Sequence, residues 1–280
     1  MYKKALVGVD ASPVETPFPS CLPDLRSLGI QSVVLAHVIQ IGRVQGAGYG
    51  HEDEYRSWLD ACSAPLREAG LTVTTSVMAS GAPADKLLDV AQAERADLVV
   101  VGSRSHNFLY DIFLGSVARE VVRKSKIPVL VLRLEPNEAG KVATSAVKFS
   151  QPLKSILLAT DLSAQSRPAE EAAVHLAAKS GRIDCLTVLA DDAPDARRAV
   201  EAHHQELARR IKSAGGSAGS RIEQGEPSAS ILRVSQEGYS LVVIGKHGQK
   251  WIEGKIMGST AARVCEEGRR PVLIVPLRQG

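Results

Sequence analysis

The chain has 280 residues, 44% of them hydrophobic and 23% charged, with a formal net charge of +3. That is a globular composition long enough for one large or two ordinary domains, and it excludes a disordered chain. The charge is too mild, and the basic residues too dispersed, to argue for a nucleic-acid partner.

Cys21, Cys62, Cys185 and Cys265 show no CxxC pairing and fit a reduced cytosolic interior better than a disulfide or zinc framework. The N-terminus, Met1-Tyr2-Lys3-Lys4, lacks the apolar core of a signal peptide, and no apolar run approaches the ~20 residues that span a bilayer. A cytoplasmic protein without membrane insertion is expected.

In chain order, residues 4–9 form a short apolar strand that runs into Asp10-Ala11-Ser12. Pro13, Pro17, Pro19 and Pro23 follow, dense enough to shorten the next helix to about Leu22–Leu28. Ser32 to Ile39 is a second strand that closes at Val38. The glycine-rich stretch Gly42 to Gly50 reads as a surface loop, either a tolerated insertion or a lid over a first-half pocket. Gly81-Ala82-Pro83 introduces a helix, Asp97 to Gly102 is a strand, Leu114-Gly115-Ser116 opens another helix, and Pro128 to Leu132 is the last strand of this half.

Residues 135–152 are polar and small, and read as a linker. The pattern then repeats. Residues 154–160 run into Asp161-Leu162-Ser163, Ile183 to Leu189 closes at Val188, and Gly225-Glu226-Pro227 precedes a helix. Ser240 to Gly245, Met257-Gly258-Ser259 and Pro271 to Val275 complete the match. Helices are predicted over Pro168–Lys179, with Glu170 and Glu171 near its start, and over Ala193–Ala214, Ser228–Glu237 and Ser259–Glu266. Self-similarity at half the chain length means a duplicated domain, and the strand–helix alternation means a parallel sheet with helices on both faces. Domains 1–134 and 153–280, each with five strands and four helices, are expected.

The chemistry concentrates in two glycine turns. Gly245-Lys246-His247-Gly248 leaves a strand, and nine residues later Gly258-Ser259-Thr260 opens a helix. Backbone amides of such a turn, with a helix N-terminus and its dipole, suit polyphosphate. The first half keeps the register as Gly102-x-x-Ser105, nine residues, Gly115-Ser116. Serine at the second glycine position is a handicap if that residue needs a positive φ or a close backbone approach. Tight strand–helix turns without a ligand are the competing reading.

Lys246, Lys250, Lys255 and Arg263 flank the second loop, as phosphate partners or as a solvated face, and Trp251 reads as a packing anchor. Asp10 and Asp161 lie at carboxyl ends of strands, where ligands bind in such sheets and where an aspartate also caps the following turn. P-loop and nucleophile-elbow motifs are absent. His203 and His204 are adjacent on a helix and make no i, i+4 metal pair. His37, His106, His175 and His247 read as surface or satisfied core. No catalytic residue and no metal ligand set is assigned.

A strand ending in Asp, then G-x-x-G, nine residues, G-S/T, a helix and a Pro-Val-Leu strand resembles the universal stress protein family, in both halves. The second half matches its nucleotide pattern without a gap; the first departs at Ser105 and in its proline-rich first helix. The resemblance implies an α/β fold of two repeated Rossmann-like (adenine nucleotide α-hydrolase-like) domains. Each would be a five-stranded parallel sheet with four helices, paired as an intramolecular pseudo-dimer through the last strands. It implies ATP, with or without Mg2+, at the carboxyl ends of the strands. Carried over, it assigns Asp161 to the nucleoside, Val188 to adenine, and Gly245, Gly248, Gly258, Ser259 and Thr260 to the phosphates. Asp10, Val38, Gly102, Ser105, Gly115 and Ser116 form a weaker first-half set.

Three readings stand. The first is a stress-response ATP-binding protein in which nucleotide sets conformation or partner choice, with at most slow hydrolysis. The second is a modest ATPase or nucleotide phosphotransferase, and the third a nucleotide-free interaction module. A homodimer of the chain stays open.

Overall fold

A computed structural model describes residues 2–10, 21–41, 52–105, 112–134, 151–191, 193–249 and 256–277. The stretches 13–19, 42–50 and 135–150, together with His106, Lys250, Trp251 and Lys255, lie outside them. The chain divides into two compact units, Met1–Ser125 with Val129–Ser150 and Lys126–Pro128 with Gln151–Gly280.

Unit 1 runs β1 (Lys4–Gly8), a 3-10 helix (Leu22–Leu28), β2 (Ser32–Gln40), α1 (Glu52–Glu68), β3 (Thr72–Ser80), α2 (Pro83–Ala93), β4 (Leu98–Ser105), β5 (Ile112–Phe113), α3 (Ser116–Lys124) and β6 (Val129–Leu134). Unit 2 runs β7 (Ile156–Ala159), α4 (Arg167–Leu176) with a 3-10 turn (Ala177–Lys179), β8 (Ile183–Leu189), α5 (Pro194–Ser213), β9 (Ala218–Gln224), α6 (Pro227–Ser235), β10 (Leu241–Gly245), α7 (Ser259–Glu267) and β11 (Val272–Val275).

Each unit holds five parallel strands in one order, β3-β2-β1-β4-β6 and β9-β8-β7-β10-β11. Their centres are apolar runs with every residue buried, as in Ile156–Ala159, Leu241–Gly245 and Val272–Val275. This is what strands covered on both faces require. Prolines in the first turns of α2, α4, α5 and α6 start those helices where a missing N–H leaves no bond unmade. In unit 1 the described part of this segment is the 3-10 helix Leu22–Leu28, closed by Gly29 at φ 101°.

The units part company at the fourth strand. β10 ends at Gly245, opposite Val275. β4 passes the equivalent pairing, Gly102 with Leu132, and continues with Ser103 opposite Arg133 and Arg104 opposite Leu134. Its last two residues also pair antiparallel with β5. Pro276 follows Val275, and a proline, with φ fixed near −65° and no N–H, ends a strand. Arg133 stands in that place in unit 1, and its Nη1 donates to Ser103 Oγ at 3.1 Å. There the strand runs on where the spacing predicts a glycine turn.

Candidate functional site

In unit 2, β7 is the point where strand order reverses, with β8 on one side and β10 on the other. The crevice beyond the carboxyl ends of β7 and β10 is where open parallel sheets take ligands. Asp161 and Gly245 stand at these two ends.

Asp161 closes an Asx turn: its Oδ1 accepts from Ser163 N at 3.1 Å and Ser163 Oγ at 2.5 Å. Its Oδ2 reaches across to the glycine turn and accepts from Gln249 N at 2.7 Å, while Gln249 Nε2 donates to the Asp161 carbonyl at 2.8 Å. The carboxylate lies so near the turn that a Cβ on Gly248 would stand 2.5 Å from Asp161 Oδ2. Gly248 is thus required by close approach and not by a positive φ, and the neighbour that requires it is Asp161.

The other glycines pack the same turn. A Cβ on Gly245 would meet His247 O at 3.1 Å and Ser166 Cα at 3.3 Å, at the start of α4. Gly258 N donates to Lys246 O at 2.9 Å and Lys246 N to Val275 O at 2.8 Å, tying the turn to the head of α7 and the end of β11. His247 Nε2 donates to Ile256 O at 3.2 Å. Gly258 is the N-cap of α7 and offers no side-chain acceptor to the first-turn amides of Ser259 and Thr260. Those amides and the helix dipole suit an anion. Val188, half-buried, pairs with Glu223 near the carboxyl end of β8.

The cations divide. Lys246 is buried, so it is no part of a solvated face. Arg263 is committed to Glu267 at 2.8 Å and Glu226 at 3.3 Å, with Ser228 Oγ at 3.2 Å. The Glu267 carboxylate holds that guanidinium above its ordinary pKa.

Beneath the site lies a buried polar layer that sequence reasoning missed. Thr160 Oγ1 donates to Glu170 Oε1 at 2.6 Å, accepts from Leu162 N at 3.2 Å and lies 3.1 Å from Ser166 Oγ. His203 Nε2 donates to the same Glu170 oxygen at 2.8 Å. Thr187 Oγ1 donates to the Thr160 carbonyl at 2.8 Å. With its one proton so used, Thr187 accepts from His204 Nε2 at 2.9 Å, and His204 Nδ1 faces Ser220 Oγ at 2.8 Å. Burial and the neighbouring His203 push His204 down to about 4, against the pull of Glu170, so the ring is neutral at physiological pH and carries its proton on Nε2. Thr160 and Thr187 each directly precede a predicted contact residue, Asp161 or Val188. A hydroxyl at each of these strand ends was the only readable signal.

Unit 1 places its residues at matching ends: exposed Asp10 after β1, Val38 in β2, Gly115 at the N-cap of α3 and Ser116 as its first residue. Gly102 and Ser105 lie within β4, so this unit does not bring them together as a turn. The carbonyl of Val9, just before Asp10, is held by His37 Nδ1 at 2.9 Å. The His37 ring packs on Tyr55, centroids 4.6 Å apart, and edge-on to Trp58 at 6.2 Å. Unit 1 therefore makes with a histidine and aromatics the joint that unit 2 makes with Thr187 and His204.

Among the described residues, no helix is long and apolar enough to cross a membrane.

Comparison with known proteins adds kinship. The sequence model of the universal stress protein family matches residues 1–133 and 152–276. A universal stress protein of Mycolicibacterium smegmatis is 26% identical over 226 residues, 74% of this chain and 69% of that protein. The Bacillus subtilis universal stress protein YxiE is 30% identical over 149 residues, 48% of this chain and 100% of its own. Among solved structures, a universal stress protein from Archaeoglobus fulgidus matches with a TM-score of 0.77 at 21% identity, covering 99% of this chain and 98% of that one, a likeness of fold.

Proposed function

The chain belongs to the universal stress protein family, and from that premise we propose that unit 2 binds an adenine nucleotide, with ATP as the form its turn fits. The observation that carries this reading is the convergence at the switch point. Asp161 is locked to the backbone of the glycine turn through Gln249, beside an α7 N-terminus whose cap residue is a glycine. The amides of that turn and of Ser259 and Thr260 would take the phosphates, Asp161 and Val188 the nucleoside. A glycine at 248 lets the carboxylate and the turn close to contact, and a Cβ there would force Asp161 Oδ2 to move.

The same geometry argues for a ligand and against a fuel. Efficient phosphoryl transfer needs a metal clamp and a group that positions water. Asp161 already spends one oxygen on Ser163 and the other on Gln249. It would have to give up part of that clamp to act as a Mg2+ ligand or a base. Nucleotide is read here as a switch of conformation or partner choice, with at most slow hydrolysis.

Calorimetric titration of the purified, nucleotide-stripped chain with ATP tests the site. Gly248→Val should weaken ATP binding by at least a hundredfold, and unchanged affinity would overturn the assignment. Multiple turnovers with ATP and Mg2+, abolished by Asp161→Ala, would replace the ligand reading with an ATPase.

A further inference from the structure

We infer that Glu170 is a positioning residue for this site: through the Thr160 hydroxyl it sets the turn that carries Asp161, without touching the nucleotide. The inference rests on the nucleotide-binding reading of unit 2. Its starting point is Leu162, a bulky residue held at φ 65°, in the left-handed region that favours glycine. Such a conformation persists only where its surroundings over-determine it. Here they do. Leu162 N donates to Thr160 Oγ1 at 3.2 Å, Ser163 N to Asp161 Oδ1 at 3.1 Å, and Ser166 N to Ser163 Oγ at 3.2 Å.

The Thr160 oxygen can receive the Leu162 amide only while its own single proton points elsewhere. Glu170 Oε1, 2.6 Å away, accepts the hydrogen bond from that hydroxyl. His203 Nε2, from α5, donates to the same oxygen at 2.8 Å and holds the carboxylate from the other side. The path is then continuous: Glu170 orients the Thr160 hydroxyl, the hydroxyl fixes Leu162, Leu162 fixes Asp161, and Asp161 Oδ2 fixes the Gln249 amide that follows Gly248.

A purely structural role explains Glu170 poorly. It is 2% exposed, and a buried carboxylate is costly to desolvate and adds little net stability even when its partners satisfy it. Unit 1 carries no hydroxyl at this strand end. Val9 occupies the place of Thr160, the strand-end joint is made by His37, and the fourth strand runs straight on. The hydroxyl accompanies the unit whose fourth strand ends in a turn.

The test uses the full chain with Glu170→Leu, Glu170→Gln, Thr160→Val and Thr160→Ser. It reads ATP affinity by calorimetry, thermal midpoint, and exchange of the Gln249 and Leu162 amides without nucleotide. Glu170→Leu leaves the Thr160 hydroxyl and His203 Nε2 without their acceptor and should lower the thermal midpoint, while ATP affinity falls at least tenfold and the two amides exchange at least tenfold faster. Thr160→Val should do the same to affinity and exchange, and Thr160→Ser should bring both back to within threefold of the wild type. If either apolar variant fails to fold, the Glu170→Gln and Thr160→Ser pair decides, with the serine again nearer the wild type.

Wild-type affinity and exchange in Glu170→Leu and Thr160→Val would overturn the inference and leave the nucleotide site standing. If the wild type binds no nucleotide, the proposed function fails instead. The inference is then judged on amide exchange alone, with unchanged rates sinking it.

Discussion

Gly248 is glycine because of Asp161. The sequence flags both, and makes serine a handicap at the second glycine position if that residue needs a positive φ or a close approach to phosphate. The left-handed glycines of the described chain are Gly29, Gly70, Gly215, Gly225 and Gly238, so strain is not the reason. A contact between segments far apart in sequence is, and no periodicity announces such a contact. This sets up a double-mutant cycle. Gly248→Ala should weaken ATP binding about tenfold or more, because its Cβ evicts the carboxylate from 2.5 Å away. In an Asp161→Ala background the same change should do little, giving a coupling of at least about 1 kcal/mol by calorimetry. Additive effects would show that the glycine serves something else.

Glu170 was legible only as an acidic residue in a helix's first turn, beside an equally acidic Glu171. Which of the two turns inward is fixed by how α4 rotates against β7 and α5, and that is a tertiary fact.

His204, read from sequence only as failing to pair with His203, has a consequence for stability. Its ring takes a proton near 6.5 in an unfolded chain and only near about 4 in unit 2. Between those values the unfolded state binds more protons, so stability from this group is complete above 6.5 and is lost as pH falls toward 4. At roughly 1.4 kcal/mol per pH unit the loss approaches about 3 kcal/mol. Urea midpoints for unit 2 at pH 7, 5.5 and 4 should fall accordingly, and His204→Gln should flatten the slope. An equally steep slope in the variant would acquit the histidine.

At the scale of elements, the strands and helices were legible almost throughout, because prolines, glycines and apolar runs mark their ends. Ile183–Leu189 matches its expected limits, and α5, α6 and α7 fall within two residues of theirs. β3, β9 and α1 were given no limits, β5 was not expected, and β4 runs past its expected end. Two residues carry it: Pro276 stops β11 where β6 continues to Leu134, and Arg133, buried in the matching place, bonds Ser103. The aligned motifs end one residue short of that difference.

Helix α6 shows capping of a kind the sequence did not announce. Glu226, not a serine or aspartate, accepts from Ser228 N at 3.1 Å and Ala229 N at 2.7 Å. The Ser228 hydroxyl and these amides hold its carboxyl below the usual range. Glu226→Ala removes the cap and the Arg263 partner together and should destabilise unit 2 by about 1 kcal/mol, as cap deletions do, seen as a lower urea midpoint at unchanged slope. A loss of several kcal/mol would mean the residue does more than cap.

For the whole molecule, the duplication was legible because every strand end of one half has a partner in the other, and both units keep one strand order. Equal order does not make equal sites. Unit 2 bends after its fourth strand, brings Gly248 against Asp161 and ties the N-terminus of α7 to the turn through Gly258. Unit 1 keeps Gly102 and Ser105 in the ladder, and the backbone amides expected to cradle phosphate there belong to a strand.

One nucleotide per chain therefore follows from the proposed site. Titration with ATP should give a stoichiometry of about one. At ATP about a hundredfold above Kd, linkage adds about 2.7 kcal/mol to the unit that binds. Amides of β7 and β8 that exchange only through unfolding of unit 2 should then slow by up to about a hundredfold, while those of β1 and β2 keep their rates. A stoichiometry of two, with equal protection in β1 and β2, would show that unit 1 holds nucleotide without a glycine turn. The serine at 105 and the strand through it would then have to be explained as a second mode of binding and not as the loss of the first.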